Sequence, residues 1–185
     1  TPDKENAIFL ARQNLDLRDD DPDYAALYIA DYIIGGGADL ASRLSDRLRQ
    51  KEGLSYSAGS SLSVPSLDRS ATWTAYAIAA PQNVAKVEAA FREEMAKVVK
   101  DGVTEAELAS AKSGAIQKRV QTRAQDGAVA GGWAYNLYLG RTFAFSKALE
   151  DRIQALTVPE VNAAIKKHLD PARLTTVKAG DFTKK

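Results

Sequence analysis

At Pro81 the hydrophobic period of the chain changes, and that change restricts the folds open to it. Before it, "RSATWTAYAIAAP" alternates, with Thr72, Thr74, Tyr76 and Ile78 on one side and Trp73, Ala75 and Ala77 on the other. Period two belongs to a strand with one face against a core. Just beyond, Val84, Val87, Phe91, Met95 and Val98 recur at helical spacing and predict an amphipathic helix over 84–100. Strand and helix side by side call for a sheet with helices packed against it.

The rest of the chain extends the pattern. Residues 6–17 read as a strand. Asp21 is a good N-cap and Pro22 suits a first helical position, so a well-buried helix is expected over 22–34, ended by Gly35, Gly36 and Gly37. A second helix is expected from near Asp39, with Leu40, Leu44 and Leu48 as its apolar stripe and Gly53 as its stop. Residues 54–64 read as the first strand of a hairpin whose second strand is the alternating run. Thr104 with Glu107, and Thr157 with Glu160, have the Thr-x-x-Glu spacing of a capping box. The first opens a helix towards Asp126, and the second a helix ending near His168. Gly127, Gly131 and Gly132 are expected to loosen the chain before "WAYNLYLG", whose aromatics read as core packing. A short helix is expected over 146–156 and a closing strand over 174–180. The fold class is therefore α+β: a mainly antiparallel sheet with helices on one face. Residues 1–181 are expected to form one domain, and 182–185 a tail.

Composition narrows the chemistry. The 185 residues carry 25 basic and 24 acidic side chains, a net charge of +1, with no basic cluster among aromatics, so nucleic acid is not an expected partner. With no cysteine, thiol nucleophiles and cysteine zinc sites are excluded. The longest apolar run, "YAALYIADYII", is broken by Asp31 and is too short to span a membrane. The first residues, "TPDKEN", are neither a signal peptide nor a start methionine, so the chain is expected to begin inside a longer protein.

Most candidate sites reduce to structure. The triple glycine follows a helix and precedes no Gly-Lys-Ser/Thr, so it reads as a helix stop and not a phosphate loop. His168, the one histidine, has no HExxH or HxxEH neighbour and reads as a solvated helix-end residue. Glu93 and Glu94 are adjacent on a helix and do not face the same way. One pair remains. In "RLRQKEGLSYS", Arg49 ends a helix and Tyr56 opens a strand across the Gly53 turn. They read either as a capped helix end with a packed tyrosine, or as two donors for a peptide carbonyl or an oxyanion.

Three segments then carry a resemblance. "LASRLSDRLRQKEGLSYS", "GVTEAELASAKSGAIQ" and "LTVPEVNAAIKKHLDPARLTTVKAGD" stand in order and span Leu40 to Asp181. They resemble the non-zinc half of pitrilysin/insulinase-family peptidases, which include the mitochondrial processing peptidase. "NAIFLARQNLDLRDDDPDYAALYIADYIIGGG" fits the usual run into the first segment. The resemblance implies two homologous halves enclosing a chamber. One half holds zinc through an inverted H-x-x-E-H motif and a distant Glu. The other lends an arginine and a tyrosine, which fall on Arg49 and Tyr56. H-x-x-E-H is absent here, and against the family's pattern the half-domain's first strand or strands are expected to be missing from this chain. The resemblance thus implies a C-terminal piece of a zinc metalloendopeptidase, inactive alone, with Tyr56 catalytic and Arg49 and Tyr56 substrate-binding. Zinc is expected on the other half and none on this chain. The expected partners are that zinc-bearing half or subunit and a peptide substrate. A non-catalytic structural or peptide-binding subunit of the same fold is the alternative. The periplasm or the exterior is the expected compartment, with the cytoplasm as the alternative.

Overall fold

The computed structural model describes residues 3–37 and 42–183. Four strands form one antiparallel sheet in the order β2-β3-β1-β4. β1 (Ala7–Leu15) lies in the middle and alternates as expected, with Ala7, Phe9, Ala11, Gln13 and Leu15 buried. β2 (Ser57–Ser63) and β3 (Ala71–Ala79) form the predicted hairpin, in a register that sets Ser57 opposite Ile78 and Ser63 opposite Thr72. β3 then pairs with β1, Ala11 opposite Ala75. β4 (Thr175–Ala179) closes the far edge, with Val177 opposite Leu10.

The helices pack on the face that carries Phe9 and Trp73. β3 buries small residues there, Ala71, Ala75, Ala77 and Ala79 around Trp73, which lets helices approach closely. α3 (Val84–Asp101) lays its predicted stripe of Val84, Val87, Phe91, Met95 and Val98 against the sheet, with Phe91 ring to ring on Phe9 at 5.2 Å. Each large apolar side chain so buried contributes about 1.5–3 kcal/mol. The opposite face carries Leu10, Arg12, Thr74, Tyr76 and Val177 and bears a shallow groove between β1 and β4.

Both capping boxes form. Thr104 opens α4 (Glu105–Arg123) and Thr157 opens α7 (Val158–His168), each with its reciprocal glutamate bond. The first helix differs from expectation in how it starts and ends. α1 (Tyr24–Asp31) begins after Asp23, because Asp21 turns inward to accept the Asp23 amide at 3.1 Å. It runs two residues past the expected Ile34 as a π-helical turn, Tyr32–Gly36, and stops at Gly37, the last of the three glycines. The expected helix start near Asp39, with Leu40, lies outside the described residues.

The chain is also helical where glycines were expected to loosen it. α5 (Asp126–Tyr138) runs through Gly127, Gly131 and Gly132, and α6 (Phe143–Ala155) starts three residues earlier than the predicted 146, capped by Thr142. The aromatics of α5 are not core: Trp133, Tyr135 and Tyr138 are all more than half exposed, as is Leu137. A polar network anchors this helix instead. Tyr135 donates to Ser66 Oγ at 3.1 Å, Ser66 donates to Asp19, and Arg141 grips both Asp19 oxygens at 2.7 and 3.0 Å. No helix among the described residues is long and apolar enough to cross a membrane.

Candidate functional site

The Arg49–Tyr56 corner is built by one short helical passage and its stop. α2 (Arg43–Ser45) passes directly into a π-helical turn, Asp46–Lys51, which carries Arg49. Such wide turns are rare and recur at functional sites. Leu44 and Leu48 face the core, 0% and 1% exposed. That burial fixes the passage and leaves its basic side chains outward.

Those cations are not equivalent. Arg43 forks onto Glu107 at 2.6 and 2.8 Å and reaches the Gly102 carbonyl at 2.8 Å. Arg47 bonds Glu93 at 2.8 Å, and Lys51 pairs with Asp46 at 2.7 Å. Arg49 is exposed and makes no side-chain hydrogen bond or ion pair among the described residues. It is the cation of this passage left for something else.

The turn that follows is tightly specified. Gly53 takes φ 61°, a left-handed value that favours glycine. The amides of Leu54 and Ser55 both donate to the Leu48 carbonyl, at 2.8 and 3.1 Å, closing the helix end. The Tyr56 amide then donates to Ile78 O at 2.8 Å, so the chain joins β3 one residue before β2 begins. The Ser55 hydroxyl is buried without a partner among the described residues, and Asn83 Nδ2 donates to the Leu54 carbonyl at 3.5 Å. Tyr56 is 62% exposed, and its hydroxyl has no partner among the described residues. The structure thus places the two residues, both exposed, on either side of the Gly53 turn. A guanidinium and a phenol, both with unused donors, suit an oxygen acceptor.

The remaining candidates fare differently. Glu93 is engaged by Arg47. His168 is not solvated: its Nε2 lies 2.9 Å from Asp23 Oδ2, which also takes Lys167 at 2.6 Å. These bonds hold the Asp23 carboxyl below its usual range, Lys167 first and His168 second. His168 therefore ties the end of α7 to the start of α1. With one histidine and no cysteine, the chain cannot build a two-histidine or cysteine zinc site, and no grouping of three or more His, Asp or Glu able to hold a metal occurs among the described residues.

Sequence reasoning passed over Asp31. Its carboxylate is buried and accepts from Ser60 Oγ at 2.6 Å and Trp73 Nε1 at 2.8 Å. The signal was present: it is the one charge inside "YAALYIADYII".

Comparison with known proteins follows the geometry. The chain is similar to the peptidase M16 inactive domain from Pseudomonas fluorescens, with 25% identity, a TM-score of 0.82, and coverage of 96% of this chain and 41% of that one. It is similar in fold to the periplasmic protease PqqL from Escherichia coli, at 20% identity and TM-score 0.74, covering 95% of this chain and 19% of that one. It also shares its fold with a chain of complex III2 from Candida albicans, at 18% identity and TM-score 0.80, covering 100% of this chain and 46% of that one. The chain thus spans about two fifths of the first of these. No curated protein matches it. A family model, the peptidase M16 inactive domain, matches residues 1–115, and the chain belongs to that family.

Proposed function

We propose that this chain is the non-zinc half of a zinc metalloendopeptidase and lends Arg49 and Tyr56 to a catalytic centre on a companion half. The observation that carries the reading is the corner at Gly53, where two donors stand exposed and, among the described residues, unpartnered while Arg43, Arg47 and Lys51 are all engaged. The Tyr56 phenol donates to the substrate oxygen that becomes negative as the peptide bond is attacked. Arg49 holds a neighbouring peptide carbonyl and sets the substrate's position. The zinc belongs to the companion half, since this chain cannot build a two-histidine or cysteine zinc site. The likeness to a periplasmic protease supports the periplasm as the compartment.

One observation favours a second reading. The likeness to a complex III2 chain supports a structural, non-catalytic subunit of the same fold. Peptide hydrolysis by the zinc-bearing half, measured with and without this chain, separates the two. A catalytic partner raises the rate on addition. A purely structural subunit leaves it unchanged.

A further inference from the structure

We propose that Asp31 is a positioning residue for the Arg49–Tyr56 corner: it locks the edge strand that follows Tyr56 into one register on the sheet. The inference rests on the reading of Tyr56 given above and adds to it the group that keeps the tyrosine in place.

β2 lies at the edge of the sheet and has a ladder on one side only, to β3. A strand held on one side can slip, and a slip of one residue turns every side chain to the opposite face. Tyr56 stands one residue before this strand and already shares its ladder through Ile78. Any slip of β2 would therefore move the phenol.

Asp31 opposes that slip from beneath. A single oxygen, Oδ1, accepts from Ser60 of β2 at 2.6 Å and from Trp73 of β3 at 2.8 Å. Trp73 stands opposite Leu62 in the hairpin, two residues from Ser60. One carboxylate thus ties both hairpin strands to α1, and only one register presents Ser60 to it. The glycines complete the fit. A Cβ on Gly35 would lie 2.5 Å from the Ser60 amide nitrogen, and one on Gly36 would lie 2.2 Å from Asp31 Oδ2. The π-helical turn thus closes onto β2 at backbone contact, which only glycine allows.

The carboxylate is a costly choice at this place. It is 8% exposed, and among the described residues its side-chain bonds come from Ser60 and Trp73 and from no lysine or arginine. Lys118 of α4 is the cation that acts on it from a distance, Tyr28 is the titratable neighbour on its own helix, and β2 and β3 present Ser60, Trp73 and the Leu62 backbone amide. Burial pushes the carboxyl up from its ordinary range, and the Ser60 and Trp73 bonds draw it partly back. An aliphatic side chain would fill the space at lower cost, as its neighbours in the apolar run do. What it could not do is bond the two strands directionally.

The test measures amide hydrogen exchange and the fluorine spectrum of the full chain carrying 3-fluorotyrosine, with the Tyr56 resonance assigned by Tyr56→Phe. Asp31→Ala and Ser60→Ala should speed exchange in β2 about tenfold, the scale of one hydrogen bond, and shift or broaden the Tyr56 signal. Amides of β1 facing β4 should change less than about twofold. Asp31→Asn, which keeps one acceptor oxygen, should fall between. Should Asp31→Ala not fold, Ser60→Ala decides by the same readout. Exchange that accelerates equally in all four strands, or in none, overturns the proposal. In the two-half enzyme, Ser60→Ala should lower kcat and leave KM in place. If Tyr56→Phe proves kinetically silent, the catalytic reading fails while the exchange pattern still decides the role of Asp31.

Discussion

Arg49 is distinguished by what surrounds it. Three cations of the same passage end in carboxylates, and the fourth does not. Residue type and spacing picked out Arg49 and Tyr56, but only side-chain contacts could show which neighbours were already engaged. The apolar stripe was readable in full where it is described, since Leu44 and Leu48 sit in the core as the four-residue spacing requires. Leu44→Ala should therefore cost about 2–5 kcal/mol in chemical denaturation. Lys112, by contrast, looks like an idle helix-surface residue, yet its Nζ donates to Gln154 O at 3.0 Å and to Leu156 O, capping the end of α6. Lys112→Ala should cost about 1–2 kcal/mol, because the carbonyls lose a charged donor. A Leu44→Ala variant with an unchanged midpoint would show the helix face to be misplaced. Glu107 supplies a pH test. Burial would raise its carboxyl, but the bonds from Arg43 and Thr104 outweigh it and set the pKa at about 2, against an ordinary 4.5. A carboxyl lowered on folding adds stability that is complete above its unfolded pKa and is lost as the pH falls through its folded one. Glu107 should thus contribute about 1–2 kcal/mol near neutrality, after allowance for solvent screening, and the contribution should fade from about pH 4.5 towards pH 2. Glu107→Gln should flatten the acid limb of a plot of Tm against pH. An unchanged limb would mean that Arg43 does not hold this charge.

Elements were legible wherever one period dominated. β1, β3, α3 and both capping boxes follow from alternation, helical spacing and Thr-x-x-Glu. Glycine misled in two places, for opposite reasons. Gly35 and Gly36 were read as part of the stop that Gly37 makes, yet the helix winds through them as a π turn because β2 lies against its backbone. Gly131 was read as loosening, yet α5 passes through it and nothing crowds it. Local sequence cannot tell a glycine required by close approach from one that is merely tolerated. Substitution can. Gly35→Ala should destabilise by about 1–3 kcal/mol, since the new Cβ meets the Ser60 backbone. Gly131→Ala should stabilise by about 0.5–1 kcal/mol, since the site is open and helical. Thermal unfolding of the two variants should move in opposite directions, and shifts of the same sign would contradict this account. The exposed aromatics of α5 were misread because apolar composition was taken for burial, whereas Tyr135 and Arg141 dock this helix by polar bonds.

At the scale of the molecule, an antiparallel sheet with helices on one face carries the proposed pair, Arg49 and Tyr56, on an exposed corner beside its edge strand. The chain belongs to the peptidase M16 inactive-domain family, and the metal step is proposed for the companion half. What the corner can contribute is donors, held in place by Gly53, the Leu48 carbonyl and the β3 ladder. The steady-state kinetics of Tyr56→Phe in the enzyme assembled with its zinc-bearing half test this most directly. Tyr56 is exposed and its hydroxyl makes no bond among the described residues, so removal should leave thermal unfolding unchanged. An oxyanion donor is worth about 2.7–4 kcal/mol, so kcat should fall about 100- to 1000-fold with KM little altered, while Arg49→Ala should act mainly through KM. Wild-type kcat/KM in both variants would contradict the account and leave the corner as nothing more than a capped helix end.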